Sequence, residues 1–320
     1  MVSEPSASCM RTYRGLDRYP PDAPPSVVAQ GTFDGIHLGH QAVIRTAVER
    51  ARALGVRSVA LTFDPLPVAV LRPAEAPPEI LPLDERLEHI AALGVHVAVV
   101  IPFTPEFSRV EADAFVHDVL AGLLRAREVV VGFNHTFGRG ARGTPDLLER
   151  VAVPLGLRVH VVPPRRVAGV LVSSSTVREA LRAGDVRRAA SLLGRPYAIH
   201  GRVSRGAQRG RLLGFPTANL VPEGSWLLAS GVYAGHARWE GRSAPAVINV
   251  GVRPTFDEAQ LVVEAHLLDA SPDLYDRQVT IAFLARIRDE MRFASVDDLR
   301  ARIEEDVARA RQLLAADAGA

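Results

Sequence analysis

Residues 27–195 alternate between apolar runs and amphipathic segments. The runs are rich in Val, Ile and Leu, whereas the segments between them place apolar residues every three or four positions. Continuous apolar strands indicate a parallel sheet that is covered on both faces, and the longer repeat indicates helices. The predicted strands are VVAQ, VRSVALTF, VHVAVVIP, EVVVGF and RVHVVP, and the predicted helices are QAVIRTAVERARAL, DERLEHIAAL, EADAFVHDVLAGLLRA, TPDLLERVAVPL and SSTVREALRA. This region is therefore predicted to be α/β, with a doubly wound parallel sheet.

The pattern changes near residue 196. Shorter runs with alternating polarity follow, separated by turns rich in Gly, Pro and Asp, and they are YAIHGRVS, GVYAGHARW, APAVINV, LVVEAHLLD and QVTIAFLARI. Such runs predict a small antiparallel β-barrel. An amphipathic helix that begins near Ser295, with acidic residues in its first turn, follows the barrel.

The predicted organisation is two domains, residues 27–190 and residues 191–315. Residues 1–26 are expected to be a flexible N-terminus, and residues 316–320 a frayed tail. A chain of 320 residues is long enough to form two hydrophobic cores.

Composition indicates the cellular compartment in which the protein is expected. No apolar run approaches the roughly 18 residues that a membrane span requires, and the opening residues lack an apolar signal-peptide core. The single Cys9 cannot form an internal disulfide. We therefore expect a cytoplasmic protein without a membrane partner.

The charge pattern argues against nucleic acid. All 38 basic residues are Arg, spread along the chain among 36 acidic residues, with a formal net charge of +2. This distribution is typical of solvated surfaces rather than of a stripe that follows a phosphate backbone. No nucleic-acid partner is predicted, and the oligomeric state stays open.

The stretch GTFDGIHLGH, residues 31–40, lies between the first predicted strand and the first predicted helix. Free N–H groups and the helix dipole attract anions there, and glycine lets a phosphate approach the backbone. His37 and His40 add donors that could neutralise charge on a phosphate during nucleotidyl transfer. The alternatives are an ordinary strand-to-helix turn and a zinc site that uses the two histidines.

Residues 201–220 hold a second glycine-rich stretch, which no helix follows. Thr217 and Asn219 would face the same way in an extended segment, and their oxygen atoms suit Mg²⁺ that carries nucleotide phosphates. The alternative is a turn capped by Asn219. Glu264 lies in an otherwise apolar strand, where it could be paired structurally or could take a proton from a substrate hydroxyl.

Taken together, these stretches resemble a known family. GTFDGIHLGHQ, FDPLP, VGFNHTFGRGARGT and VSSSTVREAL resemble, in order, the FMN adenylyltransferase module of the prokaryotic bifunctional riboflavin kinase/FAD synthetases, which belongs to the HxGH nucleotidylyltransferases. GRLLGFPTANL, GVYAG, INVGVRPTF, VEAHLLD and FLARIRDEMRF are similar to the riboflavin kinase module. The resemblance covers about residues 27–315.

The resemblance implies a fold and two reactions. Residues 191–315 would form a six-stranded barrel with a C-terminal helix that transfers phosphate from ATP to riboflavin, giving FMN. Residues 27–190 would then transfer AMP from ATP to FMN, giving FAD and pyrophosphate. The implied cofactor is Mg²⁺ with ATP, and riboflavin, FMN and FAD are substrates or products.

The resemblance also implies roles for residues. His37, His40 and Glu264 would be catalytic, Thr217 and Asn219 would hold the metal, and Asn134 would place the flavin or nucleotide. The implied ATP and phosphate ligands of the first module are Gly31, Phe33, Asp34, Gly39, Ser174, Ser175 and Arg178. The implied ATP and flavin ligands of the second module are Gly206, Gly210, Arg211, Gly214, Phe215, Pro216, Asn249 and Arg288.

Three positions depart from the family pattern. His135 stands where the family usually has Phe, Ser175 where it usually has Thr, and Asp276 where it usually has Gly. Two other functions are possible: a nucleotidylyltransferase that acts on another phosphorylated substrate, and a flavin-binding regulator without turnover.

Overall fold

Residues 10–205, 214–224, 226–254 and 259–318 are described by a computed structural model. The chain separates into two units, residues 1–174 and 175–320, and each is treated by itself. The domain boundary predicted at residues 190 and 191 stays a prediction.

A sheet of six parallel strands forms the centre of the first unit, and its order is β1-β4-β3-β2-β5-β6. All five residues of β2 are buried, as expected for an apolar strand inside a covered sheet. The parallel sheet that the sequence predicts is confirmed. Its strands are β1 (Arg11–Arg14), β2 (Ser26–Gln30), β3 (Arg57–Asp64), β4 (Val97–Pro102), β5 (Ala126–Gly132) and β6 (Arg158–Val162).

Helices connect these strands. They are α1 (Leu38–Leu54), α2 (Pro67–Leu71), α3 (Leu83–Ala92), α4 (Ala112–Ala114) and α5 (Pro145–Ala152). A π-helix over Phe115–Leu123 continues α4, and a short hairpin pairs β7 (Arg166–Val167) with β8 (Val170–Leu171). Gly55 ends α1 in the left-handed conformation at φ 65°, because glycine has no Cβ that would oppose it.

The strand order reverses beside β2, which pairs with β3 on one side and β5 on the other. In open α/β sheets, ligands bind at the carboxyl ends of the strands at such a reversal. The loops that leave β2 and β5 are the glycine-rich stretches that begin at residues 31 and 133. The fold therefore brings two of the predicted motifs to one edge of the sheet.

Part of the N-terminal segment is structured, which corrects the prediction that residues 1–26 are flexible. β1 pairs with β4, and the side chains of Tyr19 and Ala23 are buried in the core of the sheet unit. The ring of Tyr13 lies edge-on to that of Tyr19 at 5.4 Å. These few apolar contacts order a segment that is too short to show a clear periodicity.

The second unit contains a closed antiparallel barrel with the order β10-β13-β12-β11-β14-β9. The predicted six-stranded barrel with a C-terminal helix is confirmed. Its strands are β9 (Tyr197–Ser204), β10 (Ala218–Pro222), β11 (Gly231–Trp239), β12 (Arg242–Pro254), β13 (Ala259–Leu267) and β14 (Gln278–Arg288). Its helices are α6 (Ser174–Arg182), α7 (Val186–Leu193) and α8 (Val296–Ala318).

Helix α8 packs on the barrel wall. Ala310 and Leu314 of α8 contact a buried cluster that includes Val232 and Val247. The helix reaches residue 318, so residues 316–318 of the predicted frayed tail continue it, which is a correction. In the part of the chain that the structure describes, no helix combines the length and apolar character needed to cross a membrane.

Both tryptophans belong to the barrel unit. Trp239 is buried at the end of β11, and the Trp226 indole N–H donates to the carbonyl of Leu228 at 2.6 Å.

Candidate active sites

The loop after β2 has a strained backbone. Phe33 and Ile36 adopt left-handed conformations at φ 54° and φ 41°, and Gly35 lies between them at φ 82°. A bulky or β-branched residue rarely adopts this conformation, which costs on the order of 1–3 kcal/mol per residue. The conformation persists where the surrounding structure over-determines it, and it is common at functional sites.

His37 and His40 are brought together at the start of α1. His37 is the N-cap residue, and its Nδ1 accepts the backbone N–H of His40 at 3.2 Å. The two imidazole rings stack with centroids 3.6 Å apart. A Cβ at Gly39 would lie 3.1 Å from the His37 ring, so glycine gives this ring the room to fold over the helix terminus.

The pKa of His40 lies well below the ordinary value of 6.5. Burial is the largest cause, and the nearby His37 and Arg86 lower the pKa of His40 further. The ring is therefore neutral near pH 7 and keeps one N–H donor. Its Nδ1 atom is buried and has no hydrogen-bond partner among the described residues.

Gly31 and Phe33 form the other side of this pair of histidines. A Cβ at Gly31 would lie 2.8 Å from the Phe33 ring, so glycine is needed for that ring to pack against the backbone at residue 31. The Phe33 ring in turn lies edge-on to His40 at 5.5 Å. Phe33 thus contacts His40 directly, and its own ligand role stays a prediction.

Asp34 and Ser174 connect the loop to its surroundings. The buried carboxylate of Asp34 accepts the backbone N–H groups of Ile80 and Leu81 at 2.9 and 3.3 Å. The Asp34 carbonyl accepts the Ser174 hydroxyl at 3.0 Å. Asp34 therefore organises the backbone around the loop, and the prediction that it binds phosphate stays a prediction.

Ser175 and Arg178 lie in the first turns of α6, which begins at Ser174, and the Arg178 side chain is buried. Their predicted roles towards the triphosphate stay predictions.

The loop after β5 holds Asn134 at the protein surface. Next to it, the ring of His135 stacks on Phe137 at 5.7 Å. Phe137 begins a series of neighbouring rings that reaches the FDPLP segment, with centroids 5.7–6.3 Å apart. The rings in this series are Phe137, Phe115, Phe107, Phe103 and Phe63.

In the barrel, strand register aligns three predicted site residues. Asn219 of β10 and Asn249 of β12 are both direct cross-strand partners of Glu264 in β13. Directly paired residues project from the same face, with Cβ atoms about 5 Å apart. Glu264 is half-buried between the two amides. Thr217 lies two residues before Asn219, next to the start of β10.

His266 fixes the segment that carries Phe215 and Pro216. Its Nδ1–H donates to the Pro216 carbonyl at 2.9 Å, which sets the tautomer of the ring. The Phe215 ring lies edge-on to His266 at 5.5 Å. Because His266 and Glu264 are two residues apart in β13, they project from the same face of the barrel wall.

Other predicted kinase residues have different surroundings. The Arg288 guanidinium donates to the buried Asp306 carboxylate at 2.7 and 3.0 Å, which joins β14 to α8. Its predicted ligand role stays a prediction. Gly214 has φ 89°, a conformation that favours glycine. Gly206, Gly210 and Arg211 lie outside the described residues.

Two families of known proteins match successive parts of the chain. Residues 20–176 match the FAD synthetase family, and residues 193–314 match the riboflavin kinase family. A bifunctional riboflavin kinase/FMN adenylyltransferase from Pseudomonas fluorescens is 38% identical over 310 residues, which is 97% of this chain and 99% of the relative. The protein of the same name from Escherichia coli K12 is 36% identical over 287 residues, 89% of this chain and 92% of that relative.

The chain belongs to the family of bifunctional riboflavin kinase/FMN adenylyltransferases. It is an enzyme with its FAD synthetase region first and its riboflavin kinase region second. Among solved structures, a macrolide-efflux protein from Streptococcus pneumoniae has the same fold, with a TM-score of 0.86 and 31% sequence identity over 94% of this chain and 99% of that one.

The departures from the family pattern have physical explanations. Burial lowers the pKa of His135 to about 4, so its ring is neutral at pH 7 and stacks on Phe137 as an aromatic residue would. Asp276 adopts a left-handed backbone conformation at φ 60°. Glycine favours this conformation, and Asp tolerates it better than most residues do, so either residue fits the turn. Ser175 keeps the hydroxyl of the usual Thr.

Sequence reasoning missed two contributors to these sites. His266 had a signal, since alternation from Glu264 along β13 puts it on the same face. Arg86 had none. Its buried guanidinium donates to the Thr32 carbonyl at 2.8 Å, a contact between residues 54 positions apart in the chain.

Proposed function

We propose that residues 191–315 transfer the γ-phosphate of ATP to riboflavin and that residues 27–190 transfer AMP from a second ATP to the resulting FMN. The products of the second step are FAD and pyrophosphate. This division follows the order of the two family matches along the chain.

For adenylyl transfer, the supporting observation is the stacked pair His37 and His40 at the start of α1, in which burial keeps His40 neutral. Imidazole N–H groups at a helix N-terminus can donate hydrogen bonds to phosphate oxygens as charge develops on them. This reaction depends on positioning and electrostatics, so no protein nucleophile is needed. Ser174, Ser175 and Arg178 would bind the triphosphate, and Asn134 would place the flavin.

For phosphorylation, the observation that carries the proposal is the register of Asn219, Glu264 and Asn249. Glu264 would take the proton from the terminal ribityl hydroxyl as that oxygen attacks the γ-phosphate. Asn219 and Asn249 flank the carboxylate and would orient the substrates around it.

The oxygen atoms of Thr217 and Asn219 suit Mg²⁺, because this ion prefers a few hard oxygen ligands together with water. Asn219 is the cross-strand partner of Glu264, so an ion held by Thr217 and Asn219 would lie close to the proposed base. When bound, Mg²⁺ would offset the negative charge of the nucleotide phosphates.

The partners that we propose are small molecules: ATP, riboflavin and FMN. Because the arginines are scattered along the chain, we propose no nucleic-acid partner, and we propose no membrane partner. The location that we propose is the cytoplasm.

The test is a time course with purified protein, riboflavin, ATP and Mg²⁺, with the flavins separated by chromatography. FMN should rise first and then give way to FAD. A second reaction that starts from FMN should give FAD directly. Bound flavin without any turnover would instead support a regulator, and FMN without FAD would contradict the adenylyl-transfer assignment.

A further inference from the structure

Arg86 is an unusual side chain for the core of the first unit. It is fully buried, and its Nη1 donates to the Thr32 carbonyl at 2.8 Å, while its Nη2 is 3.7 Å from the Glu79 carboxylate. Its Nε and Nη2 atoms have no hydrogen-bond partner among the residues that the structure describes. Burying a cation with so few hydrogen bonds is costly, so the fold alone gives no reason for an arginine here.

The carbonyl that accepts the hydrogen bond from Arg86 lies directly before the strained part of the loop. The Thr32 carbonyl accepts two donors, Arg86 from α3 and the Thr62 hydroxyl from β3 at 3.0 Å. The next residue is the left-handed Phe33. At the other end of the strained segment, the Gln41 amide donates to the Ile36 carbonyl at 3.0 Å. Buried side chains therefore hold both ends of the strained backbone.

The contacts continue from this backbone to the histidines. The Phe33 ring lies edge-on to His40 at 5.5 Å, and His40 stacks on His37 at 3.6 Å. A change at the Thr32 carbonyl would move Phe33, and Phe33 is in contact with the proposed phosphate-binding pair.

We propose that Arg86 is a positioning residue for adenylyl transfer, which holds the Thr32 carbonyl so that the left-handed Phe33 keeps its ring against His40. The inference rests on the proposed roles of His37 and His40. Arg86 does not touch the substrate, because its side chain is fully buried.

The charge of Arg86 gives this role a second readout. The charged or titratable groups that act on His40 are His37, which stacks on it, and Arg86, with Glu79 behind the guanidinium. Both His37 and Arg86 oppose protonation of His40. Removing the cation should therefore raise the pKa of His40.

The experiment compares Arg86→Met with Arg86→Lys in the full chain. Met fills much of the same space without a donor or a charge, whereas Lys keeps both. We expect Arg86→Met to lower the rate of FAD formation from FMN by about 10²-fold, the effect of a misplaced reacting group. Its formation of FMN from riboflavin should be unchanged, and Arg86→Lys should recover most of the lost rate.

The matched control is Arg50→Met. Arg50 also donates to a buried carboxylate, that of Glu128, with two hydrogen bonds of 2.7 Å, but its partner lies in β5 and not in the glycine-rich loop. This variant should lose stability and keep its rate of FAD formation. In Arg86→Met the pH profile of FAD formation should move to higher pH, while in Arg50→Met and Arg86→Lys it should keep its wild-type position.

Several results would overturn the inference. One is a rate of FAD formation in Arg86→Met that equals the wild-type rate. Another is a rate in Arg50→Met that falls as far as the rate in Arg86→Met when the two variants have similar melting temperatures. If Arg86→Met does not fold, Thr62→Val removes the second donor to the same carbonyl and should slow FAD formation to a smaller degree, so an unchanged rate there counts against the role. A wild-type protein that makes no FAD would instead contradict the proposed function.

Discussion

The two candidate phosphate sites are built in different ways. In the sheet unit, the site is a strained loop and a helix N-terminus, and its shape depends on the backbone conformation of Phe33 and Ile36. In the barrel unit, Asn219, Glu264 and Asn249 come from three regular strands, and register alone aligns them.

This difference predicts how each site responds to change. A strained loop persists because several buried groups hold it, so residues that never meet the substrate can still control the reaction. A row of side chains on paired strands needs no such support, so a substitution there should affect the group that is replaced and little else.

The largest effect should follow from Glu264→Gln. Removing the proposed base should slow FMN formation by about 10²–10⁴-fold, because the amide cannot accept the hydroxyl proton. FAD formation from added FMN should continue at the wild-type rate. The control is Glu240→Gln, which alters an exposed carboxylate in the same barrel. Equal activity of the Glu264 and Glu240 variants would show that Glu264 is not the base.

The converse experiment uses His40→Ala. Loss of a donor to the developing phosphate charge should slow FAD formation by about 10²–10³-fold and leave FMN formation intact. His40→Asn keeps an N–H donor and should recover part of the rate. His117→Ala, which changes an exposed histidine of the same unit, is the control. Loss of both activities in a folded His40 variant would contradict the separation of the two sites.

A smaller effect tests the strained loop itself. In Gly31→Ala the new methyl group would meet the Phe33 ring at 2.8 Å, so the ring must move away from His40. We expect FAD formation to fall by roughly 10-fold, a modest share of what misplacement can cost. Gly122→Ala is the control in the π-helix of the same unit, where the new methyl group would meet the His117 carbonyl at 3.1 Å, outside the glycine-rich loop. Indistinguishable rates in the two variants would mean that Phe33 does not position His40.

The smallest effect on the two enzymatic rates should follow from a substitution of Glu128, in strand β5. Two hydrogen bonds from Arg50 and one from His160 hold the pKa of Glu128 at about 2, below the usual 4.5, although burial opposes this. A lowered pKa stabilises the fold above pH 4.5, and this stabilisation disappears as the pH falls from 4.5 through 2.

This ion-pair cluster is worth at most about 3 kcal/mol. The wild-type protein should therefore exceed Glu128→Gln in unfolding free energy near neutral pH, and the two should converge as the pH approaches 2. Unfolding in urea at several pH values measures this difference. Both enzymatic rates should be unaltered, and a specific loss of FAD formation would mean that this cluster also supports the loop.

Much of the architecture could be predicted because it depends on periodicity. Apolar strands between amphipathic helices give the covered parallel sheet, and alternation gives the barrel. Strand β1 was missed, since four residues with mostly exposed side chains carry little pattern. The π-helix over Phe115–Leu123 was predicted as an ordinary helix, because its apolar positions fit a helical repeat.

The candidate sites divide in the same way. Residues within one motif, such as His37 and His40, could be identified because local geometry brings them together. Arg86 lies among Asp84, Glu85 and Glu88 on an amphipathic helix, where a charged residue is expected to face solvent. Its burial depends on a contact with a distant loop, and the Arg288–Asp306 pair likewise depends on how α8 meets β14. Such contacts follow from tertiary packing and leave no local pattern.

The position of the two indole side chains gives the molecule an optical asymmetry. Trp226 and Trp239 both belong to the barrel unit, and the sheet unit has no tryptophan. Emission excited at the red edge of the protein absorption therefore reports on the barrel, whereas far-ultraviolet circular dichroism reports on both units. Comparing the two signals during heating can show which half of the enzyme melts first, without any label.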